Sequence, residues 1–165
     1  MTSLYNYFTD LTELLLAVLE SILVKSEAAY IAEMQVRWPD DALYDHCLEF
    51  LSSFHAFWER NSRLLHLRNN MADQLDVRMM RHRVACAQPI IQLIVQQMGQ
   101  DLTDHPSPAY GMATVLYTGI ERVVTVATDI EMQNMIQGSF SHSIDHYLKP
   151  EARLLELGIR EYRAA

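Results

Sequence analysis

Apolar residues recur at the 3.6-residue spacing of an α-helix over most of this chain, and few residues interrupt the pattern. The 165 residues include only five prolines and five glycines. A chain of this length built from strands would need many turns, and turns use these residue types. Half of the residues are hydrophobic, which excludes a disordered chain and suffices for a core. The sequence therefore predicts an all-α fold.

Capping residues and prolines divide the pattern into seven predicted helices after Asp10. The first runs from Asp10 to about Arg37, because Pro39 disfavours helix at the preceding residue. The others are predicted at 41–61, 62–72, 73–98, 108–128 and 130–148, with a last segment to about residue 162. Pro89 predicts a kink within the fourth helix, and Pro150 predicts the end of the sixth. Predicted caps are Asp10, Asp40 or Asp41, Ser107 and Asp129.

The net charge of −8 is distributed unevenly along the chain. Residues 1–60 hold ten acidic and three basic side chains, and residues 101–165 hold nine and five. The middle segment, 61–100, holds five arginines and two aspartates. No segment is basic enough to cover a phosphate backbone, so the chain by itself is predicted to bind nucleic acid poorly.

Three sequence features bear on the cellular compartment of the protein. The longest strictly apolar run, residues 14–19, is far shorter than the roughly 20 residues that span a membrane. No basic region precedes it, so a signal peptide is not expected. Cys47 and Cys86 lie in helical contexts and fit a reducing compartment. We therefore expect a cytoplasmic protein without membrane contact.

Sequence motifs give little support for catalysis or for a metal. His142 and His146 are spaced i, i+4, as are His82 and Cys86, but zinc needs three or four ligands. Motifs for a nucleophilic serine, a phosphate loop or a redox Cys-x-x-Cys pair do not occur. We therefore expect no enzyme activity, no metal and no cofactor. A small helical enzyme or metalloprotein stays as an alternative.

Aromatic and methionine side chains on neighbouring predicted helices indicate a ligand pocket. Methionine adapts its shape, and apolar cavities between helices with a few polar groups are common ligand sites. The candidate pocket residues are His46, Phe50, Phe54, His55, Trp58, Met80, Tyr110 and Tyr117. The occupant would be a small apolar or amphipathic effector. An ordinary bundle core is the alternative interpretation.

A second set of apolar positions indicates a dimer. The helices predicted at 108–128 and 130–148 carry wide apolar faces, and such neighbouring helices often pair with their counterparts about a twofold axis. The candidate interface residues are Ala113, Leu116, Ile120, Val124, Ile136, Phe140 and Ile144. Internal packing of both faces is the alternative.

The segment from Leu4 to Leu15 resembles the junction that ends the DNA-binding region of TetR-family transcriptional regulators. Tyr5 and Phe8 stand in the family's Tyr-x-x-Phe positions, and Asp10 stands at the cap of the following helix. The resemblance implies a helical bundle of six or seven helices whose last two long helices, at 107–128 and 130–148 here, form a dimeric four-helix bundle. The usual lysine after the cap is Leu11 in this chain.

The resemblance implies two parts. Residues 1–9 would be the remnant of a recognition helix, and residues 10–165 the ligand-binding and dimerisation domain. Thr2, Ser3, Tyr5 and Tyr7 would then be a remnant of the DNA contact. A recognition helix needs partner helices, so operator DNA is expected as a partner only of a protein that has them. Three explanations would account for a sequence without those partner helices: a misassigned start, a fragment and a natural loss.

The implied function is a ligand-responsive regulator, with repression as the family's usual mode, acting as a homodimer. A stand-alone helical interaction module is the alternative from another class. Such a module would dimerise with full-length regulators and block their DNA binding.

Overall fold

The computed structural model describes residues 8–101, 107–136 and 143–164, and every regular element in these ranges is helical. The elements are α1 (Leu11–Ser26), a π-helix (Glu27–Ile31), α2 (Ala32–Met34), α3 (Leu43–Asp73), α4 (Val77–Gln97), α5 (Pro108–Thr128), α6 (Ile130–Ile136) and α7 (Asp145–Arg163). The all-α prediction is confirmed for this part of the chain. Its helices include none with the length and apolar character needed to cross a membrane.

The first helix begins as predicted. Asp10 Oδ1 accepts a hydrogen bond from the backbone N–H of Glu13 at 2.8 Å, and the Glu13 carboxylate accepts one from the N–H of Thr9 at 2.7 Å. The helical path continues to Met34 but contains the π-helix, which the sequence pattern did not predict. The helix ends three residues before Arg37.

Helix α3 differs from its prediction. It is one continuous helix of 31 residues, so the breaks predicted after Asn61 and at residues 69–70 are wrong. The Asn61 side chain donates to the carbonyl of Phe57 at 2.8 Å, a bond that an asparagine within a helix can make. The predicted caps Asp40 and Asp41 are wrong too, because Ala42 occupies the N-cap position. Asp40 is instead paired with Arg163.

Helix α4 starts at Val77 rather than Asp73, because Asp76 is the capping residue. Its carboxylate accepts from the backbone N–H groups of Arg78 at 3.0 Å and Met79 at 3.2 Å. Pro89 lies within a helix that continues on both sides of it. The helix is followed by Gly99 with φ of +75°, a conformation that glycine adopts without strain.

The C-terminal part confirms two caps and overturns one helix. Ser107 caps α5 by accepting from the N–H of Tyr110 at 3.2 Å, and Asp129 caps α6. The helix predicted at 130–148 is wrong, because α6 ends at Ile136 and α7 begins at Asp145. Pro150 lies inside α7 instead of ending a helix. It sits near the start of that helix, so only one interior backbone bond is lost.

The described helices share one hydrophobic core. Helix α3 packs against α1, α4, α5 and α7, and its apolar face is fully covered. The largest side chains with almost no exposure include Trp38, Phe50 and Phe54. Burial of such aromatic side chains supplies several kcal/mol each, about 25 cal/mol per Å² of apolar area. This packing fixes the relative positions of the helices that surround the cavity described next.

Candidate functional site

An aromatic cluster fills the space between the π-helix and α3. The ring of Tyr30 lies edge-on to Phe54 and Phe57, with centroids 5.1 and 5.2 Å apart, and to Phe50 at 6.2 Å. The π-helix carries Tyr30, so the extra residue in this turn determines which side chain enters the cluster. Burial raises the pKa of Tyr30 to about 12, so the phenol stays neutral.

A cavity of about 20 Å³, counted as space open to the centre of a water molecule, lies beside this cluster. Its walls come from α1, the π-helix, α3, α4 and α5. The lining side chains are Leu19, Ile22, Leu23, Tyr30, Phe54, Phe57, Trp58, Leu65, Arg68, His82, Cys86, Ile90 and Tyr117. This volume holds about one water molecule, whereas pockets for small organic ligands measure about 300–1,000 Å³. In this arrangement the cavity is therefore too small to hold such a ligand.

Arg68 is the charged side chain in the cavity wall, and it is only 4% exposed. Its Nε and Nη2 donate to Oδ1 of Asn69 at 3.0 and 2.8 Å, and its guanidinium lies 5.6 Å from the ring centroid of Trp58. The Glu121 carboxylate balances its charge from 3.8 Å, which is too long for a hydrogen bond. Glu121 is also 3.7 Å from Arg83.

His82 and Cys86 face each other one turn apart on α4. The Cys86 Sγ lies 3.5 Å from Nδ1 of His82. Burial raises the pKa of the thiol, while burial and the nearby Arg68 lower the pKa of the imidazole. Both groups are therefore neutral near pH 7. The Nε2 atom of His82 is buried without a hydrogen-bond partner in the part of the chain that the structure describes.

The structure brings together three of the eight predicted pocket residues. Phe54, Trp58 and Tyr117 line the cavity. Phe50 is buried behind them in the aromatic cluster, and Met80 is 43% exposed on α4.

The remaining predicted pocket residues lie away from the cavity wall. His55 and Tyr110 are half-buried. His46 stacks on Trp38, with ring centroids 5.8 Å apart. Two polar side chains that line the cavity, Arg68 and His82, are not among the predicted pocket residues. The i, i+4 spacing of His82 and Cys86 is a sequence signal for this wall, although on its own it indicates a metal site.

A separate polar cluster joins α2 to α3. One ligand atom each from Glu33, His46 and Glu49 lies within 4.8 Å of the others, close enough to hold one metal ion. Nδ1 of His46 is 3.9 Å from the Glu33 carboxylate. Burial and the Glu49 carboxylate raise the pKa of Glu33. Exposed acidic side chains commonly lie this close together without an ion, so the cluster does not require a metal.

The start of α4 is connected to the start of α1. Thr12 Oγ1 donates to the carboxylate of Asp76 at 2.6 Å, and Nη2 of Arg78 donates to Asp10 at 2.8 Å. These bonds, with the helix cap, lower the pKa of Asp76. His82 and Cys86 lie further along the same α4 helix. A single helix therefore connects the cavity wall to the N-terminus of α1.

The predicted interface residues on α5 lie largely inside one chain. Ala113, Ile120 and Val124 are fully buried, and Leu116 packs over Gly158 of α7. Ile144 is half-buried against the core. Phe140, the side chain of Ile136, the histidine of the predicted pair at position 142, and the DNA-contact candidates Thr2, Ser3, Tyr5 and Tyr7 lie outside the described part of the chain.

A different apolar surface is exposed on α5 and α7. It comprises Val115 on α5 and Tyr147, Leu154 and Leu157 on α7, with exposed fractions from 45 to 68%. Positions 147, 154 and 157 lie on one stripe of α7 by helical spacing. We call these four residues the α5–α7 surface.

Comparisons of the chain with known protein families, with curated proteins and with solved structures each found no match.

Proposed function

We propose that this chain is the effector-sensing and dimerisation domain of a TetR-type transcriptional regulator that represses in the cytoplasm. Two observations support this proposal: the resemblance of the segment from Leu4 to Leu15 to the family, and the all-helical architecture. The observation that carries it is the cavity, one of whose walls is the helix α4 that is hydrogen-bonded at its first turn to the start of α1. In the family, the DNA-binding helices precede the helix that begins here after Asp10.

The proposed mechanism is a two-state equilibrium. The arrangement with the small cavity is the effector-free state, and an effector must enlarge the cavity by displacing part of the wall. The wall from α1 consists of Leu19, Ile22 and Leu23, whose aliphatic side chains form no hydrogen bonds with the rest of the wall. An effector that binds the open state more tightly shifts the equilibrium by that difference in affinity.

Helix α4 is the proposed connection from the cavity to the DNA-binding side. Movement at His82 and Cys86 would carry Asp76 with it, because all three belong to one helix. Asp76 in turn holds Thr12, and Arg78 holds Asp10. The N-terminus of α1 would therefore change position when the cavity opens. In a complete dimer this change would alter the spacing of the two recognition helices.

We further propose a homodimer through the α5–α7 surface. Four exposed apolar side chains on two adjacent long helices leave an apolar area that a second copy would cover. The proposed interface shares α5 with the pair of helices that the family resemblance implies. It uses α7 in place of the helix expected at 130–148, and its side chains differ from those expected from the sequence.

A compound screen read by thermal unfolding tests the sensor proposal. An effector at 100 times its Kd should stabilise the chain by about 2.7 kcal/mol, or roughly 5–10 °C. The variant Trp58→Phe alters the cavity wall and should reduce this shift. The matched control Trp38→Phe alters a buried tryptophan outside the cavity and should not. Absence of any stabilising small molecule in a broad apolar and amphipathic library would overturn the sensor proposal.

The stand-alone interaction module is the second candidate, and the same exposed α5–α7 surface favours it. The two candidates differ in the partner that covers this surface. Native mass spectrometry of the chain mixed with a full-length TetR-type regulator should show homodimers alone if the sensor proposal holds. Heterodimers in preference to homodimers would favour the interaction module.

A further inference from the structure

The donors in the cavity wall determine what kind of ligand could bind there. Burial raises the pKa of the Cys86 thiol, and a thiol sulfur is a poor acceptor, so we assign the S–H as the donor in its 3.5 Å contact with Nδ1 of His82. This leaves the ring proton on Nε2. His82 is 9% exposed, and its Nε2 has no acceptor among the described residues. A buried donor without an acceptor costs about 1–3 kcal/mol.

Arg68 supplies a second donor group, one that already has hydrogen bonds but only to neutral partners. These partners are the amide oxygen of Asn69 and the thiol of Cys86, while the Glu121 carboxylate stays at 3.8 Å. Glu121 also faces Arg83, which in turn binds Asp73. The wall therefore presents a buried guanidinium whose charge is balanced only from a distance. A carboxylate offers arginine two charged oxygens for two parallel hydrogen bonds, whereas Asn69 offers one neutral oxygen that both donors share.

The remaining wall is apolar or aromatic. Leu19, Ile22 and Leu23 cover one side, and Phe57 and Trp58 cover another. Such a wall suits a hydrocarbon chain or an aromatic ring and offers nothing to a second charge.

We propose that the cavity binds an amphipathic monoanion, its carboxylate held by the guanidinium of Arg68 and by Nε2–H of His82 and its apolar part enclosed by the aromatic and aliphatic wall. This inference rests on the proposed function, because the cavity must open to admit a molecule larger than water. It adds the chemical class of the effector. Opening would place the carboxylate at the charged end of the cavity and displace the aliphatic wall of α1.

Calorimetry with three matched probes tests the proposal. Octanoate, 1-octanol and octylammonium share one chain and differ in the head group. Octanoate should bind at least tenfold more tightly than octanol, and octylammonium should not bind. Equal or tighter binding of octanol would overturn the proposal and leave the sensor function intact.

Variants distinguish the two donors from general packing. His82→Phe keeps a ring of similar size and should weaken octanoate about tenfold without changing octanol. Arg68→Met should remove the preference for octanoate altogether. Arg63→Met, an exposed arginine on the same helix, is the matched control and should change neither affinity.

Three further outcomes of these experiments test the carboxylate proposal. If His82→Phe and Arg68→Met fold but octanoate binds each as tightly as the parent chain, the proposal is overturned. If Arg68→Met does not fold, His82→Phe still decides, since it leaves the ion pairs of Arg68 in place. If no probe binds but another compound stabilises the chain in the thermal screen, the carboxylate assignment fails and the sensor proposal stands.

Discussion

The side-chain oxygen of Gln97 accepts a hydrogen bond from the backbone N–H of Trp38 at 3.0 Å, across 59 positions of sequence. The same carboxamide donates to the carbonyls of Met34 and Val36, both at 2.8 Å. Nη2 of Arg163 donates to the Gln97 oxygen at 3.1 Å. One buried side chain therefore holds the segment after α2 against α4 and the end of α7.

Replacing Gln97 with leucine should destabilise the chain strongly. The variant keeps the size of the side chain but leaves two carbonyls and one backbone N–H without this partner, and it removes one of several hydrogen bonds of Arg163. We expect a loss of about 2–4 kcal/mol in the free energy of unfolding, measured by urea titration. Gln96→Leu, at the exposed neighbouring position, should stay within about 0.5 kcal/mol. Equal effects of the two variants would contradict the role of Gln97.

The hydrogen bond from Thr12 to Asp76 is the second target. Thr12→Val removes the hydroxyl from a buried side chain without changing its shape. We expect a loss of about 1–2 kcal/mol, because Asp76 keeps its helix-capping bonds but loses one donor. Thr12→Ser restores the donor and should recover most of that loss. A serine variant as unstable as the valine variant would indicate that methyl packing, not the hydrogen bond, is responsible.

Glu156 predicts a pH-dependent stability. Burial acts to raise the pKa of this carboxyl, but hydrogen bonds from Arg160 and Arg153 outweigh burial and lower it. A carboxyl with a lowered folded pKa stabilises the fold above its unfolded pKa of about 4.3, and this contribution is lost as pH falls through the folded value.

Glu156→Gln should therefore cost about 1–2 kcal/mol at pH 7. The difference from the parent chain should shrink as the pH is lowered from 5 towards 3. Urea titrations over this range provide the measurement, with Glu161→Gln on the exposed side of α7 as control. A cost that does not change with pH would mean that the charge of Glu156 contributes nothing.

Two glycines at the α5–α7 contact should differ in their tolerance of alanine. A Cβ at Gly158 would lie 2.6 Å from Cδ1 of Leu116, with two further atoms of that side chain within 3.6 Å. A Cβ at Gly119 would meet only the carboxylate end of Glu151, at 2.8 Å, which can swing away. Alanine is better than glycine in a helix by about 1 kcal/mol.

We therefore expect Gly119→Ala to be neutral or stabilising by up to about 1 kcal/mol. Gly158→Ala should lose about 1–2 kcal/mol, because Leu116 must move within a packed contact. Thermal unfolding of both variants measures the difference. If Gly158→Ala is the more stable of the two, Leu116 is free to move and the packing argument fails.

The dimer proposal predicts the effect of a charge on the α5–α7 surface. Leu154→Glu changes an exposed residue, so the free energy of unfolding of the monomer should stay within about 0.5 kcal/mol. Dimer affinity should fall at least 100-fold, because the glutamate would be buried without a partner in the interface. Light scattering over a range of concentrations measures this. Val24→Glu, on α1, is the control and should leave the oligomeric state of the parent chain unchanged.

Local signals predicted much of the fold. The caps at Asp10, Ser107 and Asp129 were found because a single polar side chain bonds to nearby backbone N–H groups, and such bonds depend only on adjacent residues. Predictions were wrong where contacts with distant residues decide the structure. Asp40 is predicted as a helix cap but pairs with Arg163. Pro150 is predicted to end a helix but lies inside α7, which has a row of buried residues.

Prediction of the cavity residues from the sequence is limited in the same way. Phe54, Trp58 and Tyr117 could be chosen as large apolar side chains at helical spacing. Arg68 could not, because a sequence pattern does not reveal that an arginine will be 4% exposed over an aromatic ring. Burial of a charge is decided by how several helices pack, and that information is not in the local periodicity.

The π-helix at Glu27–Ile31 sets the rotation of α1 relative to α3. A π-turn accommodates one extra residue in an α-helix, and each residue rotates an α-helix by 100°. If the same five residues formed a regular α-helix, everything before them would turn by about that angle. Leu15, Leu19 and Ile22 would then leave the core together. In this chain the side of α1 that faces the core is therefore set by the wide turn at Glu27–Ile31 rather than by any one side chain.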